Sequence, residues 1–346
     1  MIRVLVVDDS AIVRQILERE LSRTEDLQIV GSAPDPYVAR DMILEHKPDV
    51  VLLDIEMPRM DGLTFLKKLM KHYPLPVIIV SSLTQEGASL AVDCVQAGAV
   101  DVVSKPGSSF SVSELIPSLG DKIRAAARVN IQAYLQRGPQ KQLSRVSAGL
   151  AQRKISNKVI ALGASTGGTQ AIENVLLQLP ESVPGMLIVQ HMPENFTTSF
   201  AARLDEKSAV RVREARNRDS VVPGTVLIAP GNYHLLLRRS GASFYVETKQ
   251  GPLVCRQRPS VDVLFKSVAQ SAGTNSAGVL LTGMGKDGAE GMLQMREQGA
   301  RTIAQDEESS LVFGMPSEAI QLGAAGSVLP LNSIPQALVH WANSEK

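Results

Sequence analysis

A chain of 346 residues, 44% hydrophobic and 21% charged, has the length for about two domains, each with its own core, and an ordinary soluble composition. Its formal net charge of +1 argues for neither a broad nucleic-acid surface nor an acidic tail. Two cysteines, Cys94 and Cys255, supply neither a disulfide framework nor a zinc site, so a reducing cytoplasm is the expected location. No apolar run has the length of a membrane span, and the opening apolar stretch is too short for a signal peptide.

From residue 1 to about 120, short β-branched runs alternate with helical patterns. The runs lie at Ile2–Val7, Leu27–Val30, Val50–Leu53, Val77–Val80 and Val100–Val103. Between the first two, Ala11–Leu21 carries Ile12, Ile16, Leu17 and Leu21 on one face. Five βα units predict an α/β domain with a five-stranded parallel sheet, whose ligands sit beyond the carboxyl ends of the strands. Asp8 and Asp9 end the first strand, Asp54 the third, Ser81 the fourth and Lys105 the fifth. Singly, each acid fits a solvated loop or a helix cap. Together, three carboxylates at one edge call for a cation, and an all-oxygen set suits Mg²⁺. A lysine and a hydroxyl facing the same point would hold phosphoryl oxygens.

V-V-D-D-S, L-L-D-I-E-M-P-R-M-D-G, V-S-S and S-K-P resemble the receiver domain of bacterial two-component response regulators. The resemblance covers the whole first domain. It implies that Asp54 accepts a phosphoryl group from a histidine kinase. It also implies that Asp8, Asp9 and Asp54, with the Glu56 carbonyl, hold Mg²⁺, and that Ser81 and Lys105 contact the phosphoryl group. Many receivers carry an aromatic residue three positions before this lysine; here that position is Val102.

Residues 121–156 read as a connector. From Lys122 to Lys154 there are eight basic residues and no acidic one, usually a solvated pattern. The stretch to about Leu135 can extend the preceding helix, and Gly138-Pro139 would break it.

The second domain, 157–346, again alternates strand and helix, with one antiparallel hairpin expected at His234–Arg238 and Ser243–Thr248. It reads as a doubly wound, mostly parallel α/β domain. Its opening stretch, V-I-A-L-G-A-S-T-G-G, is a buried strand, a turn of small residues and a helix start. Gly163 to Gly167 has the G-x-S-x-G spacing that lifts Ser165 onto a tight turn. A packing turn or a phosphate-binding turn fits those residues equally well. Two further strand ends bear on the choice. M-L-I-V-Q-H-M-P puts His191 past a strand, and A-G-V-L-L-T-G-M-G-K-D-G puts Met284 and Asp287 on a glycine-rich loop. Alone, His191 fits a hydrogen-bonded core histidine, Asp287 a helix cap and Met284 core packing. Jointly they are what acyl transfer requires: nucleophile, base, orienting acid and oxyanion donor. The order Ser…His…Asp is not that of the α/β-hydrolases.

G-A-S-T-G-G, V-Q-H-M-P, A-P-G-N-Y-H, L-T-G-M-G-K-D-G and F-G-M-P-S-E-A-I resemble the catalytic domain of the chemotaxis protein-glutamate methylesterases. With the receiver in front, the likeness spans nearly the whole chain. It implies hydrolysis of glutamyl methyl esters on methyl-accepting chemotaxis receptors, deamidation of receptor glutamines, and a chemotaxis histidine kinase as phosphodonor. It implies no cofactor for the esterase, no nucleic-acid partner and no membrane insertion. Carried over by motif, Ser165 is the nucleophile, His191 the base and Asp287 its orienter. Thr166 lies beside the serine, and the Met284 N–H is an oxyanion donor. The enzymatic alternative is a short-chain dehydrogenase, whose Y-x-x-x-K would be Tyr245 to Lys249; that pair needs a helix, yet the stretch alternates like a strand. The non-enzymatic alternative, a DNA-binding output, lacks a helix-turn-helix pattern.

Overall fold

Residues 1–105, 112–132 and 157–344 are described in the computed structural model of the chain, which divides into two compact units, Met1–Pro139 and Gln140–Lys346.

In the first unit the elements run β1 (Ile2–Val7), α1 (Ala11–Leu21), β2 (Leu27–Ala33), α2 (Pro36–His46), β3 (Val50–Asp54), α3 (Gly62–His72), β4 (Val77–Ser81), α4 (Gln85–Gln96), β5 (Asp101–Ser104) and α5 (Val112–Ala126). The strands form one sheet of order β2-β1-β3-β4-β5, parallel throughout. Every residue of β3, β4 and β5 is buried, as expected of strands covered on both faces. Four helices start on a capping side chain: Ser10, Asp35, Asp61 and Thr84 each accept an amide from the first turn. These caps end each connection just past a strand, which holds the strand-end side chains in place.

The start of the expected connector extends the preceding helix, though for a shorter stretch than its sequence allows. Residues 121–126 are the last turns of α5. Lys122 Nζ pairs with the buried Asp101 Oδ1 at 2.6 Å, and Arg124 forks onto Asp26 at 2.7 and 2.9 Å. The helix does not run on to Leu135. It stops at Ala126, and the amides of Ala127 and Arg128 turn back onto Ile123 and Ala125. Beyond the turn, Val129 and Ile131 are buried. The rest of the expected connector, 133–156, lies outside the described residues.

In the second unit the order is β6 (Val159–Ala164), α6 (Gly168–Gln178), β7 (Gly185–Gln190), α7 (Phe196–Lys207), β8 (Arg211–Glu214), β9 (Thr225–Ile228), β10 (His234–Ser240), β11 (Ser243–Lys249), α8 (Val261–Ala272), β12 (Ser276–Leu280), α9 (Ala289–Glu297), β13 (Arg301–Gln305), α10 (Met315–Gln321), β14 (Ser327–Leu329) and α11 (Ile334–Asn343). Seven strands make a parallel sheet, β14-β13-β12-β6-β7-β9-β8. The central β6 and β7 are buried at every residue. β10 and β11 pair antiparallel as a separate hairpin, longer than the sequence pattern by two residues in the first strand and one in the second. The hairpin packs Leu235, Leu237 and Val246 into the same core as Leu264, Phe265 and Val268 of α8. Tyr245 and Lys249 lie on β11, so the dehydrogenase pairing does not form. No helix among the described residues is long and apolar enough to cross a membrane.

Candidate functional site

The first sheet changes winding direction between β1 and β3, where ligands gather in open α/β sheets. Asp8 and Asp54 lie there, 1% and 0% exposed, with Asp9 exposed beside them. Carboxylate oxygens of the three fall within 4.8 Å of one another. Lys105 Nζ comes in from the end of β5, 3.0 Å from Asp8 Oδ2 and 2.8 Å from Asp54 Oδ2. The other oxygens take amides: Asp8 Oδ1 from Ser10 at 2.8 Å, Asp54 Oδ1 from Glu56 at 3.2 Å. Burial pushes both Asp8 and Asp54 above the ordinary carboxylate range despite the lysine. Burial pulls Lys105 down, but the two carboxylates outweigh it and hold the ammonium above its usual value. Three acids against one ammonium leave negative charge uncompensated in a buried setting. An all-oxygen donor set of that charge fits a hard dication such as Mg²⁺. Ser81 is fully buried, and its Oγ donates to the Ser82 carbonyl at 3.3 Å. Val102 is buried in β5.

The second sheet changes direction between β6 and β12, and Ser165 follows β6 at that point. Its turn is tied down from three sides. Ser165 N donates to Thr282 O at 3.0 Å, past the end of β12. The Ser165 carbonyl accepts from Gly168 N at 2.7 Å and from Gln190 Nε2 at 2.9 Å. Thr282 Oγ1 donates to the Thr166 carbonyl at 3.0 Å, and Thr282 N donates to Gln305 Oε1 at 2.8 Å. At Gly168 a Cβ would sit 2.6 Å from Ala164 Cβ and 2.1 Å from Gln190 Oε1, so glycine lets the helix start lie this close to β6 and β7.

His191 follows β7, and its amide donates to Ala164 O at 3.1 Å, which sets it next to Ser165. The ring is buried. Nε2 faces Asp287 Oδ2 at 2.8 Å, while Nδ1 is buried without a hydrogen-bond partner. The backbone thus places His191 beside the serine turn, and its ring Nδ1 makes no hydrogen bond to the serine hydroxyl. Asp287 does not cap the helix that follows it. Oδ1 accepts from Ser260 Oγ at 2.7 Å and Asp262 N at 3.1 Å, and Oδ2 also accepts from Val261 N at 2.7 Å. Its carboxylate thus occupies the N-terminus of α8, where the helix dipole favours an anion. Burial alone would raise its pKa, but the hydrogen bond and charge of His191, then Ser260 and Val261, hold it below the ordinary range.

Two motifs with no expected role turn out to brace this network. In A-P-G-N-Y-H, His234 Nδ1 accepts from Ser260 N at 3.2 Å, and Nε2 therefore donates to Pro252 O at 2.9 Å. In F-G-M-P-S-E-A-I, the amides of Gly314 and Met315 both bond to Gly283 O, at 3.0 and 2.8 Å. Gly283 itself touches the nucleophile turn, since a Cβ there would be 2.7 Å from Ser165 Cβ. The next residue, Met284, is half-buried, and its amide has no acceptor among the described residues. The sequence reading missed Ser260, Asp262, Gln190 and Gln305. Only Ser260 left a trace, as an N-cap serine ahead of an apolar helix.

Comparison with known proteins agrees with this arrangement. Residues 160–338 match the family model of the CheB methylesterase, and residues 4–116 that of the response regulator receiver domain. The protein-glutamate methylesterase/protein-glutamine glutaminase 2 of Syntrophus aciditrophicus (strain SB) is 57% identical, over 98% of each chain. The corresponding protein 1 of Pseudomonas savastanoi pv. phaseolicola (strain 1448A / Race 6) is 49% identical, again over 98% of each. The crystal structure of the Thermotoga maritima CheB methylesterase catalytic domain superposes with a TM-score of 0.53 at 38% identity, covering 54% of this chain and 99% of that one. The chain belongs to the CheB methylesterase family, with a response regulator receiver domain ahead of the methylesterase domain.

Proposed function

We propose that this protein hydrolyses the methyl esters of glutamate residues on chemotaxis receptors and deamidates receptor glutamines. Ser165 is the nucleophile, His191 the base and Asp287 its orienter; a phosphoryl group on Asp54 raises the rate. The observation that carries the reading is the 2.8 Å contact of His191 Nε2 with buried Asp287 Oδ2, beside a buried and unpartnered Nδ1.

An ionised carboxylate only accepts, so Nε2 carries the ring proton and Nδ1 is the basic nitrogen. Nδ1 takes the Ser165 proton as Oγ attacks the ester carbonyl. When the tetrahedral intermediate collapses, the C–O bond to the methoxy group breaks and Nδ1–H protonates it, releasing methanol. Water, deprotonated by Nδ1, then attacks the acyl-serine; the bond from the acyl carbon to Ser165 Oγ breaks, Nδ1–H returns the proton to Oγ, and glutamate is released. With glutamine the group released is ammonia. The Met284 N–H, without an acceptor among the described residues, serves the oxyanion, with Thr166 beside the nucleophile.

In the receiver, a carboxylate oxygen of Asp54 attacks the phosphorus of a phosphohistidine on the kinase, the P–N bond breaks and the kinase imidazole leaves, and Lys105 and Ser81 hold the transferred oxygens. Asp8, Asp9, Asp54 and the Glu56 carbonyl would hold Mg²⁺, which when bound neutralises charge on the phosphoryl group. Both cysteines are free thiols, in keeping with a reducing cytoplasm. The test is methanol release from methyl-esterified receptor by the full chain, with and without a small-molecule phosphodonor and Mg²⁺. Release should rise with the donor and vanish in Ser165→Ala; release by that variant at the wild-type rate would overturn the mechanism.

A further inference from the structure

Asp287 and Asp262 stand in a reciprocal relation that the reaction scheme does not use. Asp287, just ahead of α9, gives its carboxylate to the N-terminus of α8, taking the amides of Val261 and Asp262. Asp262, in the first turn of α8, gives its carboxylate to α9: Oδ1 accepts from Gly288 N at 3.0 Å and Gly291 N at 2.7 Å. Each helix is thus capped by the acid of the other, and neither Gly288 nor any side chain of the Asp287 loop caps α9 locally. The first amides of a helix have no partner within it, so this exchange satisfies both ends at once.

The exchange is possible because the two helices nearly touch. A Cβ at Gly291 would lie 2.7 Å from Phe265 Cβ and 3.1 Å from Asp262 Cα. One at Gly288, where φ is +94°, would lie 2.6 Å from Val261 Cγ1. Val261 in turn covers Gly163 in the strand that leads to Ser165. Asp262 is 2% exposed. A buried carboxylate without its amide partners is costly, so the loop carrying Asp287 cannot drift without stranding Asp262.

We propose that Asp262 is a positioning residue for the esterase, holding the loop so that Asp287 meets His191 Nε2. Burial keeps the Asp262 carboxyl above the ordinary range; its Oδ1 accepts from the amides in either protonation state. The inference rests on the proposed role of Asp287. Loss of the lock lets the orienting carboxylate shift, and a displacement of about 1 Å at a reacting constellation costs on the order of a hundredfold.

The test is a double-mutant cycle in the full chain, reading methanol release from methyl-esterified receptor. Asp262→Ala should lower kcat roughly ten- to a hundredfold with KM little changed, and Asp262→Asn, which keeps an oxygen acceptor, should recover much of the loss. In the Asp287→Ala background either Asp262 substitution should cost almost nothing further, because a residue that acts through Asp287 has nothing left to position. Equal losses in both backgrounds would overturn the inference while leaving the role of Asp287 intact. If Asp287→Ala itself turned over receptor at the wild-type rate, the proposed mechanism would fall and the inference with it. Should Asp262→Ala not fold, the cycle is run with Asp262→Ser, whose shorter side chain cannot reach both the Gly288 and Gly291 amides; wild-type kcat in that variant, at a temperature where it is folded, overturns the proposal.

Discussion

The two sheets put their chemistry at the same topological address and prepare it in opposite ways. In the receiver, the crevice between β1 and β3 gathers Asp8, Asp9 and Asp54 against one ammonium, and burial leaves Asp8 and Asp54 reluctant to ionise. In the methylesterase domain, the crevice between β6 and β12 leads to one carboxylate, Asp287, with four donors on it. That acid is held ionised. The first arrangement leaves its buried charge unbalanced, and on the proposed function it is what an added cation or phosphoryl group would act on. The second is organised before any ligand arrives, which is what lowers the cost of reaching a charged transition state. A regulatory site and a catalytic site thus differ less in fold than in whether their buried charges are satisfied.

The largest expected effect separates the two crevices outright. Ser165→Ala should lower turnover by roughly 10⁴- to 10⁶-fold and leave phosphoryl acceptance at Asp54 unchanged, as followed by labelling from a phosphodonor. Conversely, Asp54→Asn should keep unstimulated turnover and lose its response to phosphodonor, a coupling typically worth ~5- to 150-fold. A stimulated Asp54→Asn variant would show that another group receives the phosphoryl.

The next effect concerns how closely each helix presses on its strand end. A Cβ at Gly62 would lie 2.3 Å from Asp54 O and 2.6 Å from Ile55 Cα, both backbone, whereas one at Gly163 would meet the Val261 side chain at 2.2 Å. Overpacking of this kind costs ~1–3 kcal/mol. Gly62→Ala should be the worse of the two, because backbone cannot rotate away. Thermal unfolding of each variant decides this, and a Gly62→Ala chain melting with the wild type would mean that α3 can slide off the phosphorylation strand.

Added Mg²⁺ sharpens the contrast in charge. It should stabilise the receiver transition alone, by ~2.7 kcal/mol at a hundredfold excess over its dissociation constant, read as a rise in the unfolding temperature of that transition. Asp8→Asn should weaken that response. A comparable Mg²⁺ effect on the catalytic domain would blur the distinction between the two crevices.

What the sequence made legible follows from what each feature depends on. Val50–Asp54 and Val159–Ala164 announce themselves because strands covered on both faces are continuous apolar runs. The residues at their ends could then be assembled from topology alone, so Asp8, Asp54, Ser165 and His191 were within reach. The R-V-R-E of β8 buries a single residue at Val212 and gives no such run. The stop of α5 at Ala126 has no glycine or proline to mark it. Ser260 and Asp262 were out of reach for another reason. Their partner Asp287 is 27 and 25 positions away, and the contact exists only because α8 and α9 approach at glycine distance. The sequence showed an acid ahead of a helix, and the local expectation was that it would cap that helix.

The smallest expected effect is an acid dependence of stability that belongs to the catalytic domain. Asp287 has its folded-state pKa depressed below the ordinary 3.8: burial opposes this, and the His191 hydrogen bond and charge, Ser260 and Val261 overcome it. The folded state therefore holds the proton less tightly than the unfolded chain does. The resulting stabilisation is complete above the unfolded value and is lost as pH falls through the folded one, so the window lies below about pH 4. Asp262, whose carboxyl is raised by burial, works in the opposite direction, and the slope of the wild type alone would mix the two. The difference between wild type and Asp287→Asn reads chiefly the first, since Asp262 is raised mainly by its own burial and only secondarily by the Asp287 charge. Denaturant midpoints of the catalytic-domain transition should favour the wild type at pH 6, and the gap should narrow steadily towards pH 3. A gap of constant size would mean that the four donors hold the neutral acid as well as the carboxylate, and that Asp287 is not organised as an anion before the substrate arrives.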